Sequence, residues 1–466
     1  VISINIDTLP DEILLTIFDF CEDQDRYPIK EEIEEWVPLV HVCQRWRSIV
    51  FGSPRRLNLQ LVCDSKTPAR DTLDVWPALP LFMNGHLGSA CTTEDIDNTI
   101  AVLERSDRVY QIQLTLSSSH FEKALAPMLV PFPELTVLKL ESEDESILVL
   151  PHSFLGQSAP RLRLFSLDRI LFPGLPNLLL SATHLVDLSL WRIPHSGHLS
   201  PEMIVTTLST LTNLEEFTLG FQSRSRSDEA RQHPPLLTRS VLPVLTSFYF
   251  RGPSEYLEDL VARIDAPQLT SLDITFSNQV VFNTREFIQF MNRTPALKAP
   301  NKGRVVFEDD TVAAYLTSPA PGYGEFGAVI RCGELDWRPS SLVQLITLCL
   351  PSLSKVEDLY IQSTRPAYWL DVVENSQWLE ILHPFTAVRN LDLSERFAKR
   401  IVPALQEPVG GRMAEVLPTL QNIIFEGNEP SGSIQEAIGQ FSAARQVSNI
   451  SSHSVAVIHR PYFFLS

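Results

Sequence analysis

Leu135-Thr136-Val137-Leu138-Lys139-Leu140 and Leu185-Val186-Asp187-Leu188-Ser189-Leu190 share one pattern: an apolar residue, two spacers, an apolar residue, one spacer, an apolar residue. The pattern also occurs as Val109/Ile112/Leu114, Leu162/Phe165/Leu167, Leu214/Phe217/Leu219, Leu245/Phe248/Phe250 and Leu269/Leu272/Ile274. After an interruption it resumes as Val356/Leu359/Ile361, Val388/Leu391/Leu393 and Leu420/Ile423/Phe425. The last two apolar positions alternate as in a half-buried strand. The first seven copies begin 23 to 31 residues apart, and the last three begin 32 apart. Segments 254–264 and 284–293 between copies carry helical patterning, and several copies follow a proline-bearing turn, as at Pro131–Leu135, Pro267–Leu269 and Pro418–Leu420. A strand and a helix recurring every 20 to 30 residues or so describes a stack in which no unit buries its apolar face alone. The expected fold class is α/β. A conventional α/β sheet whose strands share the motif by coincidence is the plainer alternative, and ten copies weigh against it.

In the 87 residues separating the copies at Leu269 and Val356, Arg304–Phe307 and Ala328–Arg331 are β-rich and read as two degenerate copies that restore the period. Arg56–Cys63 alternates as a capping strand, Asp74–Met83 adds a second, and Ser454–Leu465 supplies a last one at the far end. Within each copy the spacer between the last two apolar residues must point away from the core. Stacking aligns these spacers in one row: Gln113, Lys139, Ser166, Ser189, Thr218, Tyr249, Asp273, Tyr360, Asp392 and Ile424. Two residues on, a second row contains Glu141, Asp168, Trp191 and Arg251. The residues expected to face a bound target are Lys139, Asp168, Trp191, Tyr249, Arg251, Asp273, Tyr360 and Asp392. Trp, Tyr and Arg are residue types enriched at binding hot spots. The bland reading of the same positions is an ordinary solvated sheet face.

The first fifty residues follow a different pattern. Asp7-Thr8-Leu9-Pro10-Asp11-Glu12 carries a cap candidate, a proline suited to a first turn and two acids for the positive end of a helix dipole. Ile13, Leu14, Ile17, Phe18 and Cys21 then recur on one stripe. A second helix begins near Trp36-Val37-Pro38 and aligns Leu39, Val42, Cys43, Trp46, Ile49 and Val50, with His41, Gln44, Arg45, Arg47 and Ser48 opposite. Two short helices hold more apolar surface than they can hide in each other, so a partner is expected to cover the remainder.

Leu9-Pro10-Asp11-Glu12-Ile13-Leu14 with Ile17-Phe18, followed by Leu39, Val42-Cys43, Trp46-Arg47, Ile49 and Pro54, resembles an F-box, the adaptor-docking module of Skp1–cullin–F-box ubiquitin ligases. The plainer reading is a helical hairpin that caps the rest of the chain. Two departures stand out: an acidic insert from Cys21 to Glu35 where the family usually has a short turn, and Arg55-Arg56-Leu57 where a Leu-Trp pair often follows the proline. The insert and the Trp36-Val37-Pro38-Leu39 run give the segment a fungal-style cast. The repeats from 106 to 427 resemble leucine-rich repeats, although irregular in length and lacking the asparagine that often follows the last core leucine. The expected fold is therefore a small all-α F-box at residues 1–54, a linker and N-terminal cap at 55–105, an irregular leucine-rich-repeat-like solenoid at 106–427 and a C-terminal cap at 428–466.

The resemblance implies a substrate-recognition subunit. It would dock on a Skp1-like adaptor through Leu9, Pro10, Leu14, Ile17, Phe18, Leu39, Val42, Cys43 and Trp46, reach a cullin through that adaptor, and hold an unknown protein substrate on the repeats. An alternative keeps the adaptor and drops the cullin, leaving an interaction scaffold. A hydrolase on an α/β scaffold ranks below both. There is no nucleophile elbow, phosphate-binding glycine loop or zinc-binding helix pair. His195-Ser196-Gly197-His198 lacks an adjacent carboxylate or cysteine. The chain is therefore expected to be neither an enzyme nor a cofactor or metal protein.

A net charge of −18 argues against nucleic acid, which needs clustered Lys and Arg, and against an anionic membrane surface. No signal peptide is read, and no run approaches a membrane span. The six cysteines show no metal-ligand spacing and serve as small apolar residues, which suits a reducing compartment, cytoplasmic and/or nuclear. Glu141–Ser146 and Ser223–Glu229 read as solvated loop tips, with phosphorylation of the first and a regulatory contact at the second as the sharper alternatives.

Overall fold

The computed structural model describes residues 6, 9–21, 37–54, 57, 59–75, 79–194, 199–222, 239–277, 284–298, 300–308, 311–318, 324–331, 341, 343, 344, 346, 353–363, 373–406, 416–426, 432–447 and 455–460. The acidic insert after Cys21, the His195–His198 pair and the Ser223–Glu229 segment lie outside the described residues. The chain divides into two compact units, residues 1–194 and 195–466.

The first unit opens with helices α1 (Asp11–Cys21), α2 (Val37–Val42) and α3 (Gln44–Gly52). The strands of its main sheet follow: β1 (Leu61–Cys63), β2 (Leu81–Leu87), β3 (Val109–Leu116), β4 (Val137–Ser142), β5 (Leu164–Asp168) and β6 (Asp187–Ile193). Each pairs parallel with the next in sequence order. Parallel neighbours require a crossover, and helices α4 (Ala69–Val75), α5 (Thr93–Leu103), α6 (Ser118–Leu125) and α7 (Leu175–Ser181) lie in these connections. Local chemistry starts them where it should. Thr92 accepts from the Asp95 N–H at 3.2 Å while the Asp95 carboxylate accepts from the Thr92 N–H at 2.9 Å, a reciprocal cap on α5. The alternation read in the sequence appears as burial: Ile112, Leu114, Leu138, Leu140, Phe165, Leu167, Leu188 and Leu190 are all in the core. The two capping strands need correction. Among the described residues only Leu61–Cys63 of the first is a strand, and Asp74 lies in the last turn of a helix, with the next strand at Leu81–Leu87.

The second unit contains helix α8 (Pro201–Leu208), strands β7 (Glu216–Phe221) and β8 (Ser247–Arg251), helix α9 (Ser254–Val261), strand β9 (Ser271–Ser277) and helix α10 (Arg285–Arg293). Strands β10 (Lys302–Phe307), β11 (Thr311–Thr317) and β12 (Glu325–Arg331) come next, then β13 (Asp358–Ser363), helix α11 (Asn375–Leu382) and β14 (Asn390–Leu393). The unit ends with α12 (Glu395–Gln406), β15 (Asn422–Glu426), α13 (Gly432–Val447) and β16 (Ala456–Arg460). Phe217 and Phe248, paired in register on β7 and β8, stack at 5.3 Å between ring centroids.

A strictly sequential stack would set each strand beside its predecessor. The second unit departs from that order: its strands run β7-β8-β9-β12-β11-β10-β13-β14-β15-β16. Both runs read as degenerate copies, Arg304–Phe307 and Ala328–Arg331, are strands, but they stand in inverted order with the unforeseen β11 antiparallel between them. Connection length explains the antiparallel strand. Only two residues separate Glu308 from Thr311, and the Glu308 N–H donates to the Thr311 carbonyl at 2.8 Å. A parallel return needs a dozen residues or more, so so short a link forces a hairpin. β12 then continues the parallel ladder from β9, and β10 passes it on to β13.

Adjacent residues on β5 provide a test. Phe165→Ala should cost about 3 to 5 kcal/mol in urea unfolding, because it empties a closed core position. Ser166→Ala, pointing the other way, should stay within about 0.5 kcal/mol. Equal losses would contradict the assigned faces.

Candidate functional site

Helices α1 to α3 close a small core of their own. Leu14, Leu15 and Phe18 from α1, Val40 from α2, and Ile49 and Val50 from α3 are buried together with Leu57, Leu59 and Leu79. Leu9, Leu39, Trp46, Phe51 and Leu61 are partly buried against this cluster. The Phe18 and Trp46 rings meet at 4.7 Å between centroids. Polar ties fix the helices. Arg45 donates to the Leu9 carbonyl at 2.5 Å and to Asp11 Oδ1 at 2.5 and 3.1 Å, and Arg47 donates to the Val40 carbonyl at 2.9 Å. Cys43 Sγ accepts the Trp46 N–H at 3.4 Å and caps α3.

This arrangement sorts the nine residues expected to dock an adaptor. Leu14 and Phe18 are corrected: they fill the chain's own core and present nothing outward. Leu9, Leu39 and Trp46 are shared between that core and its rim, and Pro10, Ile17, Val42 and Cys43 are exposed. Ile13 belongs with the exposed group. It stands one turn before Ile17 on α1, and the two are 47% and 37% exposed, while Val42 is 58% exposed. Neighbouring exposed apolar side chains on a hairpin whose core is already full are the mark of a docking rim.

A second feature lies on the outward strand face of the first unit. A polar cleft of about 770 Å³ runs across β2 to β5. Strand register sets its floor in two rows, Asn84–Gln113–Lys139–Ser166 and His86–Thr115–Glu141–Asp168. Of the residues expected to face a target, Lys139 and Asp168 line the cleft, and Trp191 pairs with Asp168 in register. No sequence pattern points to Arg192. Its φ of 47° is left-handed, a conformation that non-glycine residues seldom adopt. Its Nε donates to Asp168 Oδ1 at 2.6 Å, Nη2 also meets Asp168 Oδ2, and Nη2 donates to Glu141 Oε1 at 2.9 Å. The Asp168 hydrogen bonds raise the guanidinium pKa above its ordinary value. Ser142, in the segment read as a loop tip, is buried and donates to the Asp144 carbonyl at 3.1 Å.

In the second unit the register aligns Thr218, Tyr249, Asp273, Gly327, Tyr315, Arg304, Tyr360, Asp392 and Ile424 in one row. The three residues between Asp273 and Tyr360 come from the inverted strands, and no period in the sequence could place them. Arg251 lies in the parallel row beside Thr275. Asp392 is corrected: at 7% exposure it is buried and is not offered to a partner. Burial, then the nearby Glu325 carboxylate, raises the Asp273 pKa above the ordinary carboxylate value. Burial, then Asp273, likewise raises that of Tyr315. The Arg304 guanidinium carbon sits 4.9 Å from the Tyr315 ring centroid, a cation–π contact. Burial also pushes the Cys63 thiol up to about 11, in keeping with a cysteine used as a small apolar residue. Among the described residues no three His, Cys, Asp or Glu side chains are grouped to hold a metal ion, and no helix is long and apolar enough to cross a membrane.

The raised Asp273 pKa has a defined sign. A carboxyl whose folded pKa exceeds its unfolded one contributes stability fully below the unfolded value and loses it as pH rises through the folded value. Asp273→Asn should therefore unfold at a higher temperature than the native chain at neutral pH. That advantage should vanish below the ordinary carboxylate range. Calorimetry across that range checks it, and a pH-independent difference would contradict the assignment.

No curated protein matches this chain. Residues 6–60 match the family model described as F-box-like, so the rim formed by Ile13, Ile17 and Val42 belongs to an F-box-like domain at the N-terminus.

Proposed function

We propose that this chain is the substrate-recognition subunit of a Skp1–cullin–F-box ubiquitin ligase, docked on a Skp1-like adaptor through its N-terminal helices and carrying a protein target on its outward strand faces. The observation that carries the reading is the exposed apolar rim of an F-box-like hairpin with a complete core. Leu14 and Phe18 shape that rim from within. Pro10, Ile13, Ile17, Val42 and Cys43, flanked by Leu9, Leu39 and Trp46, make the contact. Burying each large apolar side chain on the adaptor contributes up to about 1.5 to 3 kcal/mol.

The reading extends to the rest of the chain as a leucine-rich-repeat-like arm that works by recruitment. Such a receptor needs no active site, because holding a substrate near a charged conjugating enzyme gives a proximity gain. The strand faces suit a protein partner, since that of the first unit combines charges with Trp191 and that of the second combines charges with Tyr249, Tyr315 and Tyr360. The expected compartment remains the cytoplasm and/or nucleus.

The test is co-expression of the full chain with Skp1 and a cullin, read by gel filtration. The native chain should form a one-to-one complex with Skp1 that recruits the cullin. Val42→Glu and Ile17→Lys change exposed residues and so leave the hairpin core intact. Each should weaken the complex by tenfold or more (roughly 1.4 kcal/mol) without lowering the unfolding temperature. A Skp1 complex that excludes the cullin would favour the scaffold alternative. A chain that ignores Skp1 would sink the docking reading.

A further inference from the structure

We propose that the outward face of the second unit contains a receptor notch for one cationic side chain, a lysine or arginine of the bound protein, centred on Asp273 over Gly327. This rests on reading that face as the target-binding surface. It adds the chemistry of the residue the face selects.

The notch is a product of the inverted strands. β12 sets Gly327 beside Asp273, and β11 sets Tyr315 on the far side of Gly327. A Cβ placed on Gly327 would lie 2.0 Å from Asp273 Oδ1 and 3.3 Å from Tyr315 Cδ1. The carboxylate therefore lies in the space that any other residue would fill, with the tyrosine ring as its opposite wall. Tyr249 neighbours Asp273 on the other strand, and its hydroxyl is hydrogen-bonded to Thr275 Oγ1 at 3.2 Å, away from the notch. Glu325, two residues before Gly327 on the same strand, adds a second negative charge.

The notch lacks a positive charge. Among the described residues the Asp273 carboxylate has no hydrogen bond and no ion pair. The nearest cation in the row, Arg304, is engaged with the Tyr315 ring and makes no ion pair with the carboxylate. Half-buried carboxylates without a partner are costly, and a charge-assisted hydrogen bond from a bound ammonium or guanidinium would remove that cost. A carboxylate or phosphate in the same place would meet Asp273 and Glu325 as like charges, so the notch rejects acidic residues as strongly as it accepts basic ones. The net charge of −18 steers basic segments toward the surface in general, and the notch fixes one residue of such a segment.

The test uses the full-length chain and a displayed library of random peptides. Selected peptides should share one obligatory lysine or arginine. In a synthetic copy, replacing that residue by norleucine should weaken binding about tenfold or more. Asp273→Asn, which preserves size, should erase that difference. Gly327→Ala should do the same by displacing the carboxylate, and both variants are checked for an unfolding temperature no lower than that of the native chain. Selected peptides without a basic residue, or a norleucine penalty that persists in Asp273→Asn, would overturn the proposal. Peptides that lose binding with Tyr360→Ala yet ignore Asp273→Asn would overturn the notch and leave the receptor face standing. A library that yields no binder to this face would count against both.

Discussion

Short strands in lateral register, each with one face apolar and the other polar, are the constraint on which the rest of this molecule depends. A strand such as Leu138-Lys139-Leu140 can hide its leucines only if the neighbouring strands present theirs at the same height. In-register parallel pairing achieves this, and it stacks Ile112, Leu138, Phe165 and Leu188 into one column. The same register necessarily stacks the outward residues. Lys139 beside Ser166, or Tyr249 beside Asp273, is thus a by-product of burying the positions on either side. A functional surface comes with the core at no additional conformational cost.

The helical segment at the N-terminus solves a different problem. Its core is small, so every large apolar residue that can turn inward does so, and Phe18 against Trp46 closes it. What remains outside, Ile13, Ile17 and Val42, is left over because helices of this length have two faces and only one core to fill. Arg45 and Arg47, which on a helical wheel look like a solvated face, instead bind backbone carbonyls of the neighbouring turns. They hold the rim in place and contribute none of it.

The inverted strands of the second unit show how a local accident of chain length creates a site. Two residues after Glu308 cannot carry the chain back over the sheet, so Thr311–Thr317 runs antiparallel to Lys302–Phe307, and Glu325–Arg331 takes the place next to β9. Gly327 then falls beside Asp273, where a side chain would collide with the carboxylate.

Most of the parallel strands, the apolar triplets that fill the core and the amphipathic helices of the F-box-like segment were legible along the chain, because period and composition are local properties that survive whatever the chain does later. Alternation also showed most of the residues that point outward within a strand, since it follows from backbone geometry, although Asp392 and Ile424 of the outward row are buried. Tertiary structure decided three other things. Leu14 and Phe18 turned inward because the hairpin packs on Leu57, Leu59 and Leu79, residues distant in sequence. Arg192 joined Asp168 and Glu141 through a left-handed backbone that no propensity announces. Asp273, Gly327 and Tyr315 became neighbours because strand order is set by the lengths of connections and the sharing of a core, and a one-dimensional pattern carries neither.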